Sequence, residues 1–135
     1  MMKYFLLLAF GILFAACDGS NSVQQVNMKA DTVLMGVFKT GDVDKLDRII
    51  ADDILNHSRG GQVGLDNLKL LINGFHLNMK NPKMEVIRKM ANDDYVSDSV
   101  RFIGGNPTVV IESIEVTRSY DGLAKWTLVF SKLAG

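Results

Sequence analysis

One cysteine, two prolines and an even charge balance limit what this 135-residue chain can be. A lone cysteine cannot close an internal disulfide, and it leaves no cysteine set for a structural metal. The two histidines, His57 and His76, lack local ligand spacing, so the sequence gives no support for a structural zinc site. Fifteen basic side chains stand against 15 acidic ones, with no basic stripe interleaved with aromatics. Nucleic acid is therefore not an expected partner. No glycine-rich phosphate loop follows a strand, no Gly-x-Ser-x-Gly motif occurs, and Gly60-Gly61 reads as part of a loop. No cofactor and no metal are implied.

What is present begins at the N-terminus. Lys3 precedes an apolar run from Tyr4 to Ala16, followed by Cys17 and the polar stretch Asp18–Asn21. The run is short of the roughly 20 apolar residues that cross a bilayer, and its flanks are those of a secretory leader. Phe14-Ala15-Ala16-Cys17 resembles the lipobox of bacterial lipoproteins, with Phe14 standing where Leu is usual. The resemblance implies cleavage before Cys17 and acyl chains, such as palmitate, on Cys17. Several chains would make a stable anchor, at about 0.8 kcal/mol per buried methylene. Residues 1–16 are read as signal peptide, 17–25 as lipidated cysteine and tether, and 26–135 as one domain outside the cytoplasm, held to a membrane of the cell envelope.

Within the domain the hydrophobic period changes once. Val26, Ala30, Val33, Leu34, Val37 and Phe38 recur at helical spacing, and Gly41 closes that helix. A second helix is predicted on Val43, Leu46, Ile49 and Ile50, capped by Asp42 or Asp44. Ile54 to Ser58 reads as a short strand with Arg59-Gly60-Gly61 as the turn leaving it. A third helix from about Leu65 carries Leu68, Leu71, Ile72 and Phe75. After Pro82, four strand-like segments follow: Met84–Met90, Tyr95–Ile103, Thr108–Arg118 and Leu123–Leu133. Short turns separate them, which requires antiparallel neighbours. Helices first and a meander second make an α+β plan.

The order Gly41-Asp42, Asp52-Asp53, His57, Gly64-Leu65, Asp94-Tyr95-Val96, Arg118, Asp121-Gly122 and Trp126 resembles the SnoaL-like branch of the nuclear transport factor 2 superfamily. The resemblance runs from about Val26 to Leu133. It implies a cone-shaped curved antiparallel sheet packed on three N-terminal helices and enclosing a pocket. Polyketide-cyclising proteins of this branch carry an acidic base after the tryptophan, whereas here Trp126-Thr127-Leu128-Val129 follows and no Asp or Glu occurs beyond Asp121.

Two residues are candidates for acid–base work. If the strand from Tyr95 alternates, Asp98 shares a face with Val96, Val100 and Phe102, where burial would raise its pKa towards neutrality. The alternative is a bulge, or pairing with Arg101 or Arg118. His57 stands where the resemblance implies a histidine at the pocket mouth; it could shuttle a proton or simply tie down its own loop. His76 is expected to face water at the end of its helix. Phe75, Val96, Val100, Phe102 and Trp126 are the expected ligand pocket, with Trp126 on one face of the last strand beside Ala124, Leu128 and Phe130. Arg118 is expected to brace the hairpin or pair with Glu112 or Glu115. Met28, Met35, Met79, Met84 and Met90 read either as a flexible apolar lining or as gap fillers.

Three functions are consistent with these residues. The first is a membrane-anchored lipoprotein whose pocket binds a small, mostly apolar molecule. The second is an isomerase or cyclase of the SnoaL-like kind using Asp98 and His57. The third is an interaction module that pairs into a homodimer through the outer face of the sheet.

Overall fold

The computed structural model describes residues 22–57, 62–120 and 123–134. The first helix, α1, spans Val23–Thr40, with the Ser22 hydroxyl accepting from the Gln25 amide at its start. It stops at Gly41, whose φ of 76° is the left-handed conformation that favours glycine, and whose N–H donates to the Val37 carbonyl at 2.7 Å. Its buried stripe includes Ala30, Leu34, Val37 and Phe38, as the period predicts, but also Asn27 and Asp31. Asn27 is held there because its amide donates to the Asp93 carbonyl at 2.7 Å.

The predicted second helix is only a short 3-10 turn, Val43–Arg48, and Ile50 already belongs to a strand. The β-branched pair Ile49-Ile50 is the reason: the Ala124 N–H donates to the Ile49 carbonyl at 2.8 Å, so the chain enters the sheet before a full helix can form. Strand β1 spans Ile50–Asn56, and a two-residue strand β2, Gln62–Val63, folds back on it. The predicted turn at Arg59-Gly60-Gly61 lies outside the described residues. Helix α2, Leu65–Met79, follows and buries Leu65, Leu68, Ile72 and Met79.

The meander then runs as expected through β3 (Lys83–Ala91), β4 (Tyr95–Gly104), β5 (Val109–Tyr120) and β6 (Leu123–Leu133). The Asn92 side chain makes the β3–β4 turn by accepting from the amides of Asp94 and Tyr95 at 2.9 and 2.8 Å. The sheet order is β2-β1-β6-β5-β4-β3. It is a curved, mixed sheet with the helices packed against it, and the fold is α+β. The expected all-antiparallel pattern fails at one junction, where β1 lies parallel to β6. The chain between them includes α2 and four strands, long enough to make the crossover that parallel pairing needs. Leu34, Phe38, Leu46, Ile54, Leu68, Ile72, Val100 and Phe102 meet in the core between helices and sheet.

Gly104 fixes where α2 meets the sheet. A Cβ at that position would stand 2.6 Å from the Met79 carbonyl oxygen, while the neighbouring Gly105 N–H donates to the same oxygen at 2.5 Å. His76 supplies a second tie: its Nε2 donates to the Phe38 carbonyl at 2.8 Å, joining α2 to the end of α1. The expectation that His76 faces water is thus corrected, because the last carbonyls of α1 lack helical partners and take the imidazole instead.

Candidate functional site

The cavity lies between the helices and the inner face of the sheet and holds about 340 Å³. Leu34 and Phe38 of α1, Leu68, Leu71 and Phe75 of α2, and Phe102 of β4 form its apolar wall. The rings of Phe75 and Phe102 meet edge to face at 4.9 Å, and Phe38 stands 6.3 Å from Phe102. The opposite wall is more polar. It comprises Asn56 of β1, Ser113 and Glu115 of β5, and Thr127 and Ser131 of β6, with the hydroxyls of Ser113 and Ser131 2.8 Å apart. Among the described residues, no lysine or arginine lines the cavity.

Continuing from this wall at Glu115 is a row of ionisable groups produced by strand register. Lys89 of β3 is opposite Asp98 of β4, which is opposite Glu115 of β5. Asp31 descends from α1 onto the row, and the Lys89 ammonium is hydrogen-bonded to it. The same ammonium is 3.5 Å from Asp98 Oδ1. Asp98 is 1 % exposed and neither of its carboxyl oxygens has a hydrogen-bond partner. Glu115 is 6 % exposed and makes no hydrogen bond or ion pair among the described residues.

These surroundings set the protonation. Burial pushes Asp98 up to about 7, and the nearby Asp31 carboxylate adds to the rise while Lys89 opposes it. Burial likewise pushes Glu115 up to about 8, with Asp31 and Asp98 contributing repulsion. For Lys89, desolvation works against the charge, but the hydrogen bond to Asp31 and the attraction of both aspartates outweigh it and raise the pKa. At neutral pH, therefore, the cavity presents a protonated Glu115 backed by an ion pair. The arrangement can donate a proton, accept one, or hydrogen-bond a polar atom of an otherwise apolar guest.

No protein-family model matches the sequence, and no curated protein matches it. Solved structures do match in fold. A candidate polyketide cyclase from Bacillus cereus ATCC 10987 superposes with a TM-score of 0.74 at 16% identity, covering 80% of this chain and 75% of its own. A candidate ketosteroid isomerase from Kribbella flavida DSM 17836 gives 0.74 at 12% identity over 84% and 83% of the two chains. A candidate SnoaL-like polyketide cyclase from Jannaschia sp. CCS1 gives 0.70 at 12% identity over 82% and 88%. The chain has the SnoaL-like, nuclear transport factor 2-like fold.

Within this SnoaL-like fold the predicted site residues are only partly assembled. Phe75 and Phe102 line the cavity. Val96 and Val100 are buried on the same face of β4 but do not reach it; Val100 packs in the core. Asp98 is on the predicted face, directly beside the wall residue Glu115 but not itself on the cavity wall. His57 is exposed just beyond β1, its backbone N–H donating to the Thr127 carbonyl at 2.8 Å. Three strand spacings separate β1 from β4 in the sheet order, roughly 14 Å. The structure does not bring Asp98 and His57 together as an acid–base pair.

The last strand of the SnoaL-like sheet departs from its predicted facing. Ser119 pairs with Ala124 and Arg118 with Trp126, so Lys125 is an extra residue. One added residue reverses every side chain after it. Thr127 is consequently buried, Val129 and Ser131 line the cavity, and Phe130 is 62% exposed. The Trp126 side chain lies outside the described residues. Arg118 is stacked between the rings of Tyr95 and Tyr120, 5.3 and 4.6 Å from their centroids, and among the described residues it makes no ion pair with Glu112 or Glu115, contrary to expectation. Glu112 is paired with Arg101 and Lys132 instead, and Glu115 is inside. Met28, Met35, Met79, Met84 and Met90 do not line the cavity; Met35 and Met79 fill the core.

Sequence reasoning missed Asp31, Lys89, Asn56 and Glu115. One signal was available: Glu115 shares a strand face with Ile111 and Ser113, so an inward Ile111 would have carried the carboxyl inward with it.

Proposed function

We propose that this protein is a lipid-anchored envelope protein whose SnoaL-like pocket binds a small, mostly apolar molecule. The cavity carries the reading: three phenylalanines and three leucines form one wall, and a few placed polar groups on the other would orient a guest. Anchoring rests on the lipobox-like sequence ending in Cys17, which lies outside the described residues. Only Asp18–Asn21 separate Cys17 from the Ser22 cap of α1, so acylation would hold the domain within roughly 20 Å of the bilayer surface. Among the described residues no helix is long and apolar enough to cross a membrane.

The experiment is a ligand scan by native mass spectrometry and thermal shift across fatty acids, sterols and aromatic ketones. A blank scan overturns the binding reading. For the anchor, labelling with a clickable palmitate analogue should mark the protein and should be lost in Cys17→Ser, together with membrane-fraction retention.

A second reading is favoured by the paired carboxyls. Glu115 touches the cavity and Asp98 lies across the ladder from it, with protonation near neutrality in both. An isomerase or cyclase of the SnoaL-like kind would use Glu115, with Asp98 behind it, in place of Asp98 and His57. If turnover is found, Glu115→Gln should abolish it and His57→Ala should spare it. The third reading, a homodimer, draws on Ile87, Ile114 and Phe130, all exposed on the outer face.

A further inference from the structure

The polar end of the cavity is biased towards one sign of charge. From α1 comes Asp31, from β3 Lys89, from β4 Asp98 and from β5 Glu115, while the β6 neighbour of Glu115 is the uncharged Val129. Three carboxyl groups therefore stand against one ammonium, and that ammonium is already committed to Asp31 and Asp98. Glu115 is left over: nine-tenths buried, without a hydrogen-bond partner among the described residues, and on the cavity wall. Among the described residues the remaining wall offers no cation, and Phe38, Phe75 and Phe102 supply aromatic rings, whose faces attract positive charge.

We propose that the guest of this cavity is an apolar amine, its ammonium seated on Glu115 and its hydrocarbon body among the three phenylalanines. The inference rests on the pocket reading above and narrows it to a chemical class. An incoming cation supplies the partner that burial denies Glu115, so the carboxyl gives up its proton as the amine enters. A carboxylate guest would meet ionised Asp31 and Asp98 nearby and no cation on the described wall to receive it, and a neutral alcohol would gain a single ordinary hydrogen bond.

The test uses the full chain in mild detergent at pH 7, with benzylamine, benzyl alcohol and benzoate as probes of one skeleton and three charges. These are soluble enough to partition little into micelles. Titration calorimetry in two buffers of different ionisation enthalpy reads affinity and proton release together. Benzylamine is expected to bind about ten-fold or more tighter than benzyl alcohol, with benzoate silent. Up to about one proton should leave per amine bound. In Glu115→Gln the amine preference and the proton release should vanish while benzyl alcohol still binds. Equal or tighter binding of the alcohol to the unsubstituted protein overturns the inference, as does amine binding without proton release. Should no member of the trio bind while another scanned ligand does, the amine assignment alone fails. A blank result for the trio and for the whole scan removes the pocket reading and this inference with it.

Discussion

Asp98 and Glu115 stand directly opposite each other on β4 and β5, both facing inward and both nearly sealed from solvent. Two carboxyl groups on adjacent strands of a buried face repel when both are ionised, and among the described residues only one ammonium, that of Lys89, is paired with Asp98 to offset this. Protonation of the pair is thus part of how the fold is held together, and it leads to the first prediction.

Stability should fall as pH rises through neutrality. Asp98 and Glu115 have folded-state pKa values near 7 and 8, above their ordinary values of 3.8 and 4.5. Between about pH 4.5 and 8 the folded protein therefore holds more protons than the unfolded chain, which gives stability a negative slope in pH. Carboxylates held below their usual range, Asp53 beside Lys125 and Glu112 beside Arg101 and Lys132, lose their contribution only at more acidic pH. Melting temperature should be higher at pH 5 than at pH 8.5, and Glu115→Gln should flatten the profile. A wild-type melting temperature that climbs over that interval would rule out buried protonated carboxyls.

Lys89→Met should destabilise the domain, on the order of 3 kcal/mol, because it leaves Asp31 and Asp98 buried without their cation. Adding Asp31→Leu should restore much of that loss. Urea unfolding of the single and double variants measures the coupling, and additive effects would show that the three groups do not act as a unit.

Gly104→Ala tests the seam between α2 and β4. With a Cβ only 2.6 Å from a backbone oxygen, helix and strand must move apart, at a cost of about 1–3 kcal/mol. Gly74, which has open space around its missing Cβ, is the control: Gly74→Ala should leave stability unchanged or raise it by up to about 1 kcal/mol.

Phe130→Lys addresses the outer face. Phe130 is 62% exposed, so the folded monomer should lose no more than about 0.5 kcal/mol. If two copies pair through Ile87, Ile114 and Phe130, sedimentation of the unsubstituted protein should show a concentration-dependent increase in mass that this substitution removes. A monomer at every concentration would dispose of the homodimer.

Local chemistry makes most of the elements legible in the sequence. Gly41, Pro82, Asn92-Asp93-Asp94 and the Gly104–Pro107 stretch punctuate the chain, and both helices and all four meander strands lie close to where period and turn residues place them. The 3-10 segment at Val43–Arg48 was misread because six residues cannot show whether Ile49 and Ile50 continue a helix or open a strand; the choice is made by β6, more than 70 residues away. The facing of β5 and β6 was harder still. Their inner rows include Ser113, Glu115, Thr117, Thr127 and Ser131, a pattern that reads as a solvent face. It faces inward here because the wall borders a cavity and not a dry core.

The sequence by itself determined the α+β order, the turns, and the inward placement of Asp98 among Val96, Val100 and Phe102, all set by neighbours within a few residues. Only the tertiary structure decided that Asp31, Lys89, Asp98 and Glu115 form one charged row beside the cavity, and that His57 has no part in it. The physical reason is register: which residue meets which across a sheet depends on bulges at Val86–Arg88 and at Lys125 and on a helix crossing the strands, none of which the hydrophobic pattern encodes.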